Sequence, residues 1–218
     1  MDLSYWNKVY QLNVGEDDRG RKLVHFPSPF AIFCAEKVIS KEDLILDFGT
    51  GNGRDAFFFA EKGCKVHGID QSAVAIKNNI IRAKELHLDN QLTFQCGDFS
   101  KAMHINIKPS VVYLRFVLHA ICSADEENLL KIVEEKLDTG GMFLIESRTN
   151  KDKVYGCGSF LGDNAYKYGH CRRFIDSCEF LKRAQKRRFR IRYFNEDYGL
   201  DAYKDEDPIV MRVFFEKH

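Results

Sequence analysis

Asp43-Leu-Ile-Leu-Asp47-Phe-Gly49-Thr-Gly51-Asn-Gly53-Arg54-Asp-Ala-Phe-Phe-Phe-Ala-Glu-Lys62-Gly63-Cys-Lys65-Val-His-Gly-Ile69-Asp70 is the stretch whose reading decides the fold. Leu44 to Phe48 is a short apolar run broken only by Asp47, and three alternate glycines follow it. That pattern predicts a buried strand ending in a turn. From Arg54 to Lys62 the apolar residues cluster without alternation and stop at Gly63, which predicts a helix closed by a glycine. Lys65 to Ile69 is a second strand and delivers Asp70. Strand, glycine turn, helix and strand with a terminal acid form a nucleotide-binding half of a doubly wound sheet.

The residue types have mechanical reasons. Glycine lacks a Cβ, so the backbone can turn sharply, press on a ligand and point amide N–H groups at it. An acid ending the second strand can accept both hydroxyls of a ribose. A pyrophosphate would want Gly-x-Gly-x-x-Gly, whereas here the third glycine comes one residue early and Asp47 stands two residues ahead of the first. That arrangement suits a ligand with an amino group better than a dinucleotide, although an ordinary glycine turn has the same composition. On Asp47 to Gly53 and Asp70 the chain resembles the class I S-adenosylmethionine-dependent methyltransferases.

Length and composition bound the alternatives. The 218 residues suit one α/β domain with a modest accessory element. Lys and Arg total 33 against 32 Asp and Glu, and a formal net charge of +1 exerts no overall pull toward nucleic acid or membrane. The seven cysteines show no Cys-x-x-Cys and no knuckle spacing, so no metal site is expected and reduced thiols are. The first ten residues lack an apolar signal core and no run reaches membrane-spanning length, which points to the cytoplasm.

Outward from the glycine stretch, Ser4 to Tyr10 reads as a short helix with Trp6 and Tyr10 one turn apart. It either staples to the sheet or lies over the cofactor as a lid, so residues 1–40 are taken as an N-terminal helical lid and 41–218 as the catalytic domain, one domain overall. Asp17, Asp18 and Gly20 read as a loop. Ser28 caps a helix from Phe30 to Ile39. Ser72 caps another from Ala73 to about His87, with Val74, Ile76, Ile80, Ile81 and Ala83 on its buried side. Leu92 to Cys96 is a strand followed by Gly97-Asp98-Phe99. Val111 to Leu114 opens a central strand that ends in the polar pair Arg115 and His119. Asp125 to Leu137 is a helix, and Met142 to Glu146 a strand.

Asn150 to Gly169 reads as a long loop, and Gly169-His170-Cys171-Arg172-Arg173-Phe174 as the entry to a helix whose dipole favours an anion. Lys182 to Arg192 looks like a nucleic-acid patch, but reads better as a basic helix end running into a strand with Phe189, Ile191 and Tyr193 alternating. Ile209 to Phe215 is the last strand, reached through the acidic turn Asp205 to Pro208. The expected fold is α/β, a doubly wound, mainly parallel seven-stranded sheet with a C-terminal antiparallel hairpin, which the resemblance also implies.

The resemblance further implies S-adenosylmethionine as cofactor, held by Trp6, Asp47, Gly49, Thr50, Gly51, Gly53, Asp70, Gln71, Asp98, Phe99 and Arg115. It implies adenine contact at Asp98, with Phe99 stacking on the ring. Chain-wide features, including Trp6-Asn7, Pro27 to Phe30 and Glu206-Asp207-Pro208, resemble bacterial small-molecule methyltransferases of capsule and surface polysaccharide pathways, some acting on phosphoramidates. The absence of Asn-Pro-Pro-Tyr argues against a DNA base as acceptor. A small anionic acceptor is expected on Tyr10, Arg148, His170, Arg172 and Arg173, although solvated surface charge would look the same. Arg115 and His119 are the catalytic candidates: Arg115 to orient, His119 either packed or acting as general base. The methyl would move by in-line displacement from the activated sulfonium. A non-catalytic cofactor-binding subunit, an RNA methyltransferase and a nicotinamide-dependent reductase are the competing readings.

Overall fold

The computed structural model describes residues 3–11, 26–99, 105–202 and 206–218. The expected loop at Asp17, Asp18 and Gly20, and Asp205 of the acidic turn, lie outside the described residues. Asp2–Ile105 and Asn106–His218 form two compact units.

The first unit holds helices α1 (Leu3–Gln11) and α2 (Pro29–Lys37), then β1 (Leu44–Phe48), α3 (Arg54–Glu61), β2 (Lys65–Asp70), α4 (Ala73–Glu85) and β3 (Leu92–Cys96). Its strands lie in the order β3-β2-β1, all parallel, with Asp47 beside Gly68 and Asp70 beside Cys96. β1 is buried almost throughout, as a run without alternation in a parallel sheet should be. Ser28 caps α2 by accepting from the Ala31 N–H at 3.0 Å, and Pro29 occupies the first turn. The same serine donates from its N–H (2.7 Å) and its hydroxyl (2.8 Å) to the buried Asp55 carboxylate, tying α2 to the start of α3. On α4 the buried face is Ala75, Ile76, Asn79 and Ala83, whereas Ile80 and Ile81 are exposed.

The second unit holds β4 (Val111–Arg115), a 3-10 turn (Leu118–Ala120), α5 (Ser123–Lys136), β5 (Met142–Arg148), β6 (Ser159–Gly162), β7 (Ala165–Tyr168), β8 (His170–Arg173), α6 (Ser177–Gln185), β9 (Phe189–Asp197) and β10 (Val210–Lys217). β4 and β5 are parallel, and β10 runs antiparallel to both β5 and β9, in the order β4-β5-β10-β9. The expected class therefore stands: a mainly parallel seven-stranded sheet ending in an antiparallel hairpin. β5, β9 and β10 carry a phenylalanine cluster, with Phe143 to Phe189 at 5.7 Å and Phe189 to Phe215 at 6.0 Å between ring centres, and Phe180 of α6 packs on Phe215.

Two sequence expectations fail here. The segment from Asn150 to Gly169 is not a structureless loop, because its later half pairs as β6 and β7 of a separate three-stranded antiparallel sheet. Gly169 to Phe174 enters no helix but forms β8, and α6 starts later, capped by Asp176 on the Glu179 N–H at 3.0 Å. Arg172 and Arg173 are thus strand neighbours on opposite faces. The basic run fares as expected, since Arg183 pairs with Glu126, Arg187 with Glu127 and Glu134, and Arg192 with Glu216. Among the described residues no helix is long and apolar enough to cross a membrane.

Ser28→Ala removes both the cap and a hydroxyl hydrogen bond to a buried carboxylate. The expected loss is about 1 to 3 kcal/mol in a urea unfolding curve.

Candidate functional site

In the first unit the glycine turn is built by backbone conformation. Gly49, Gly51 and Gly53 have φ of 69°, 54° and 73°. The left-handed region costs a residue with a Cβ about 1 to 2 kcal/mol each time. The amides of Gly49 and Thr50 donate to the Ile69 carbonyl at 2.7 and 3.1 Å, and Gly51 donates to the Asp70 carboxylate at 2.9 Å. The other oxygen of Asp70 accepts from the Ser72 N–H at 2.8 Å. The Gln71 amide bears on the same carboxylate, and of its about four lone-pair sites one is left for a further donor. Burial pushes the Asp70 acid up, opposed by the amides of Ser72, Gly51 and Gln71.

Two neighbours were not legible as parts of this turn. Asn79, buried on α4, donates from Nδ2 to the Gly51 carbonyl at 2.9 Å. Tyr10 was expected on the acceptor, yet a Cβ at Gly51 would meet its hydroxyl at 2.6 Å. Burial and the Asp70 charge both raise the Tyr10 phenol, so it stays protonated. α1 is held there by Ser72, whose hydroxyl donates to Asn7 at 2.7 Å, and by Asn78, which donates to the Tyr10 carbonyl at 3.4 Å. Trp6 stacks on Tyr10 with ring centres 6.2 Å apart.

Asp47 is buried at the end of β1, and the amide of Gly97, next to Asp98, donates to the Asp70 carbonyl at 2.9 Å. The Asp98 side chain is half-buried and Gln71 likewise. Phe99 is 1% exposed with its ring 5.2 Å from that of Phe48, so it packs in the core just after β3. The Thr50 hydroxyl is buried with no partner among the described residues. α3 begins at Gly53 with no side-chain cap. An orphaned hydroxyl, a helix start without a side-chain cap and a carboxylate with a remaining lone pair suit a ligand bearing hydroxyls and an amino-acid group.

In the second unit the polar residues after β4 and β5 sort into ion pairs and one cluster. Arg115 donates to Glu146 at 3.0 Å and to both oxygens of Asp201 at 2.8 and 2.9 Å. Arg212 donates to the other Glu146 oxygen at 2.7 Å. Burial pushes the Glu146 acid up to about 7 against the pull of Arg115. Arg148 is shared between Asp152 at 3.3 Å and Glu206 at 3.1 Å. Arg173, expected on the acceptor, is buried and engaged by Glu126 and by the carbonyls of Ile121 (2.9 Å) and Leu118 (3.3 Å), so it is a brace for the 3-10 turn.

Arg172 donates to His170 Nε2 at 3.1 Å. Both bear on His119, a buried imidazole whose Nδ1 has no partner among the described residues. Burial first, then Arg172, Arg148, His170 and Arg115, drive its basicity well below the usual histidine range. His119 is therefore neutral at pH 7 and offers a hydrogen bond rather than a resting base. The expected group Arg115, His119, Arg148, His170 and Arg172 is brought together electrostatically, and Arg173 leaves it. Phe116, at a φ of 57°, contacts both the Arg115 guanidinium (4.3 Å) and the His119 ring (5.3 Å between ring centres).

With this geometry in view, comparison with known proteins is direct. The sequence profile of the family described as "Methyltransferase domain" matches residues 39–190, and the chain belongs to that family. Its fold is that of the S-adenosylmethionine-dependent methyltransferases. The CcbJ methyltransferase of Streptomyces caelestis superposes with a TM-score of 0.76 at 17% identity, covering 100% of this chain and 99% of that one. The glycopeptide N-methyltransferase MtfA, solved with S-adenosylhomocysteine, gives 0.70 at 16%, covering 88% and 90%. A [4+2]-cyclase, SpnF, shares the fold at 0.70 and 15%, covering 86% and 79%. In sequence, the sterol 24-C-methyltransferase of Kluyveromyces lactis is 32% identical over 117 residues, 53% of this chain and 31% of that protein. The chain thus spans about a third of the length of the curated relatives it matches.

Arg173→Met leaves the buried Glu126 with Arg183 as its remaining partner and strips the Ile121 and Leu118 carbonyls of their donor, so it is expected to cost about 1 to 3 kcal/mol in urea unfolding, more than Arg172→Gln. His119 has a second signature. Below its unfolded value near 6.5 the unfolded chain takes up a proton that the folded one refuses, so stability falls with decreasing pH by up to about 1.4 kcal/mol per unit. His119→Asn should flatten the decline measured between pH 6.5 and 5.

Proposed function

We propose that this protein transfers a methyl group from S-adenosylmethionine to a small anionic acceptor. The acceptor class is phosphorylated, phosphoramidate-bearing or carbohydrate-linked, of the kind used in capsular polysaccharide synthesis in the cytoplasm. The observation that carries the cofactor half is the Asp70 carboxylate, which anchors the Gly51 amide and keeps a lone pair for a ribose hydroxyl. When bound, the cofactor supplies a methyl already activated by the positive sulfur beside it.

The residues have separate duties. Asp47, Gly49, Thr50, Gly51, Gly53, Asp70, Gln71 and Asp98 hold the cofactor, with the uncapped start of α3 adding its partial positive charge. Trp6 and Tyr10 exclude water from the glycine turn, which is the lid role for α1. In the second unit Arg172 and His170 receive the acceptor's anion, and the His119 Nδ1 takes a hydrogen bond to orient the nucleophile. Arg115 and Arg148, already shared by carboxylates, set the local potential rather than bind directly. Alignment of this kind accounts for most of what a methyl transfer asks of a protein.

The SpnF likeness favours one second reading, a cofactor-binding protein that does not methylate, since the same fold carries a cyclase. Calorimetric titration with S-adenosylhomocysteine, with NADH as control, tests the cofactor half. Saturable binding of the first alone is expected. Gly51→Val should abolish it and Asp70→Asn should weaken it about tenfold to a hundredfold, with circular dichroism unchanged. NADH binding alone would sink the proposal, and cofactor binding without turnover on any phosphorylated acceptor would favour the second reading.

A further inference from the structure

We infer that the acceptor carries a ring directly beside its anionic group, and that this ring lies on the tyrosine face of the three-stranded sheet. The inference rests on reading the second unit as the acceptor site. In the β7–β8 pair Tyr166 stands opposite Arg172 and Tyr168 opposite His170. Alternate residues of a strand project to one face, so these four side chains share it. With Phe174, Val154 and Cys157 they line an open cleft.

The apolar wall of the cleft is ordered. Tyr155 meets Tyr166 edge-on at 5.3 Å and Phe174 edge-on at 5.5 Å, so each ring's tilt is set by its neighbour. Tyr168 is 66% exposed, and no ring packs on it among the described residues. Its aromatic face is thus available to a flat or cyclic group.

The polar end lies on the same face. Arginine only donates, so in its contact with His170 the Nε2 is the acceptor. Arg172 and His170 are also among the groups that depress His119, which ties the cleft to the buried imidazole and its unpartnered Nδ1. An anion seated at Arg172 therefore has a tyrosine one strand pair away on the same surface. An acyclic anion would use the arginine and leave the aromatic wall in water. A ring-bearing anion uses both.

The test is an NMR titration of the full chain saturated with S-adenosylhomocysteine, using inorganic phosphate, phenyl phosphate and glucose 1-phosphate as probes. At least one ring-bearing phosphate should bind about fivefold to tenfold tighter than inorganic phosphate, and which one does so tells an aryl from a sugar ring. Tyr168→Ser, at an exposed position, should erase most of that advantage and leave inorganic phosphate unchanged, while Arg172→Gln should weaken all three. Equal affinity for the three probes would overturn the ring inference and leave the anionic acceptor standing. Binding of none, with S-adenosylhomocysteine bound, would overturn the anionic reading and this inference with it.

Discussion

One carboxylate organises the first unit. Asp70 receives the Gly51 amide on one oxygen and the Ser72 amide on the other, so the glycine turn and the start of α4 are held by a single side chain. Ser72 extends the reach, because its hydroxyl caps α4 by accepting from Ala75 at 3.2 Å and donates to Asn7 of α1. Asn79 closes the ring from below, holding the Gly51 carbonyl while Asp70 holds its amide. A left-handed residue is costly to keep in one conformation unless both of its peptide groups are engaged, and here they are.

The second unit is governed by how carboxylates divide the arginines. Glu146 lies between Arg115 and Arg212, Asp201 takes the far end of Arg115, and Asp152 and Glu206 share Arg148. These pairs neutralise charge that would otherwise repel across a small volume. Arg173 is removed from the cluster altogether by Glu126. The chemistry proposed for the unit therefore concentrates on Arg172, His170 and His119, a narrower set than the arginine count suggests.

The glycine stretch was legible because its signals are local: turn chemistry, an uninterrupted apolar strand and a terminal acid all act within a few residues of one another. The elements from β1 to β5 and the terminal hairpin were read in the right order for the same reason. The small sheet was missed because Gly156, Gly158 and Gly162 punctuate it, and because its strands are only four residues long. Arg172 and Arg173 looked alike in sequence. They differ because β8 turns them to opposite faces and because Arg173 meets Glu126 from a helix 47 residues earlier, which adjacency in the chain cannot reveal. Asn79 left one faint signal, a polar residue at helical spacing between Ile76 and Ala83. The exposure of Ile80 and Ile81 is the counterpart of that burial.

Phe116 is a bulky residue in a left-handed conformation, immediately after β4. Such a residue forfeits about 1 to 3 kcal/mol that glycine or asparagine would largely recover. In exchange, its ring lies against the guanidinium of Arg115 and the imidazole of His119. Under the role proposed for His119, position 116 is a point where selection for heat tolerance and selection for turnover pull apart. Lineages drifting toward glycine there would gain robustness and loosen the histidine, and lineages that keep the phenylalanine would reveal that the histidine's placement still matters to them.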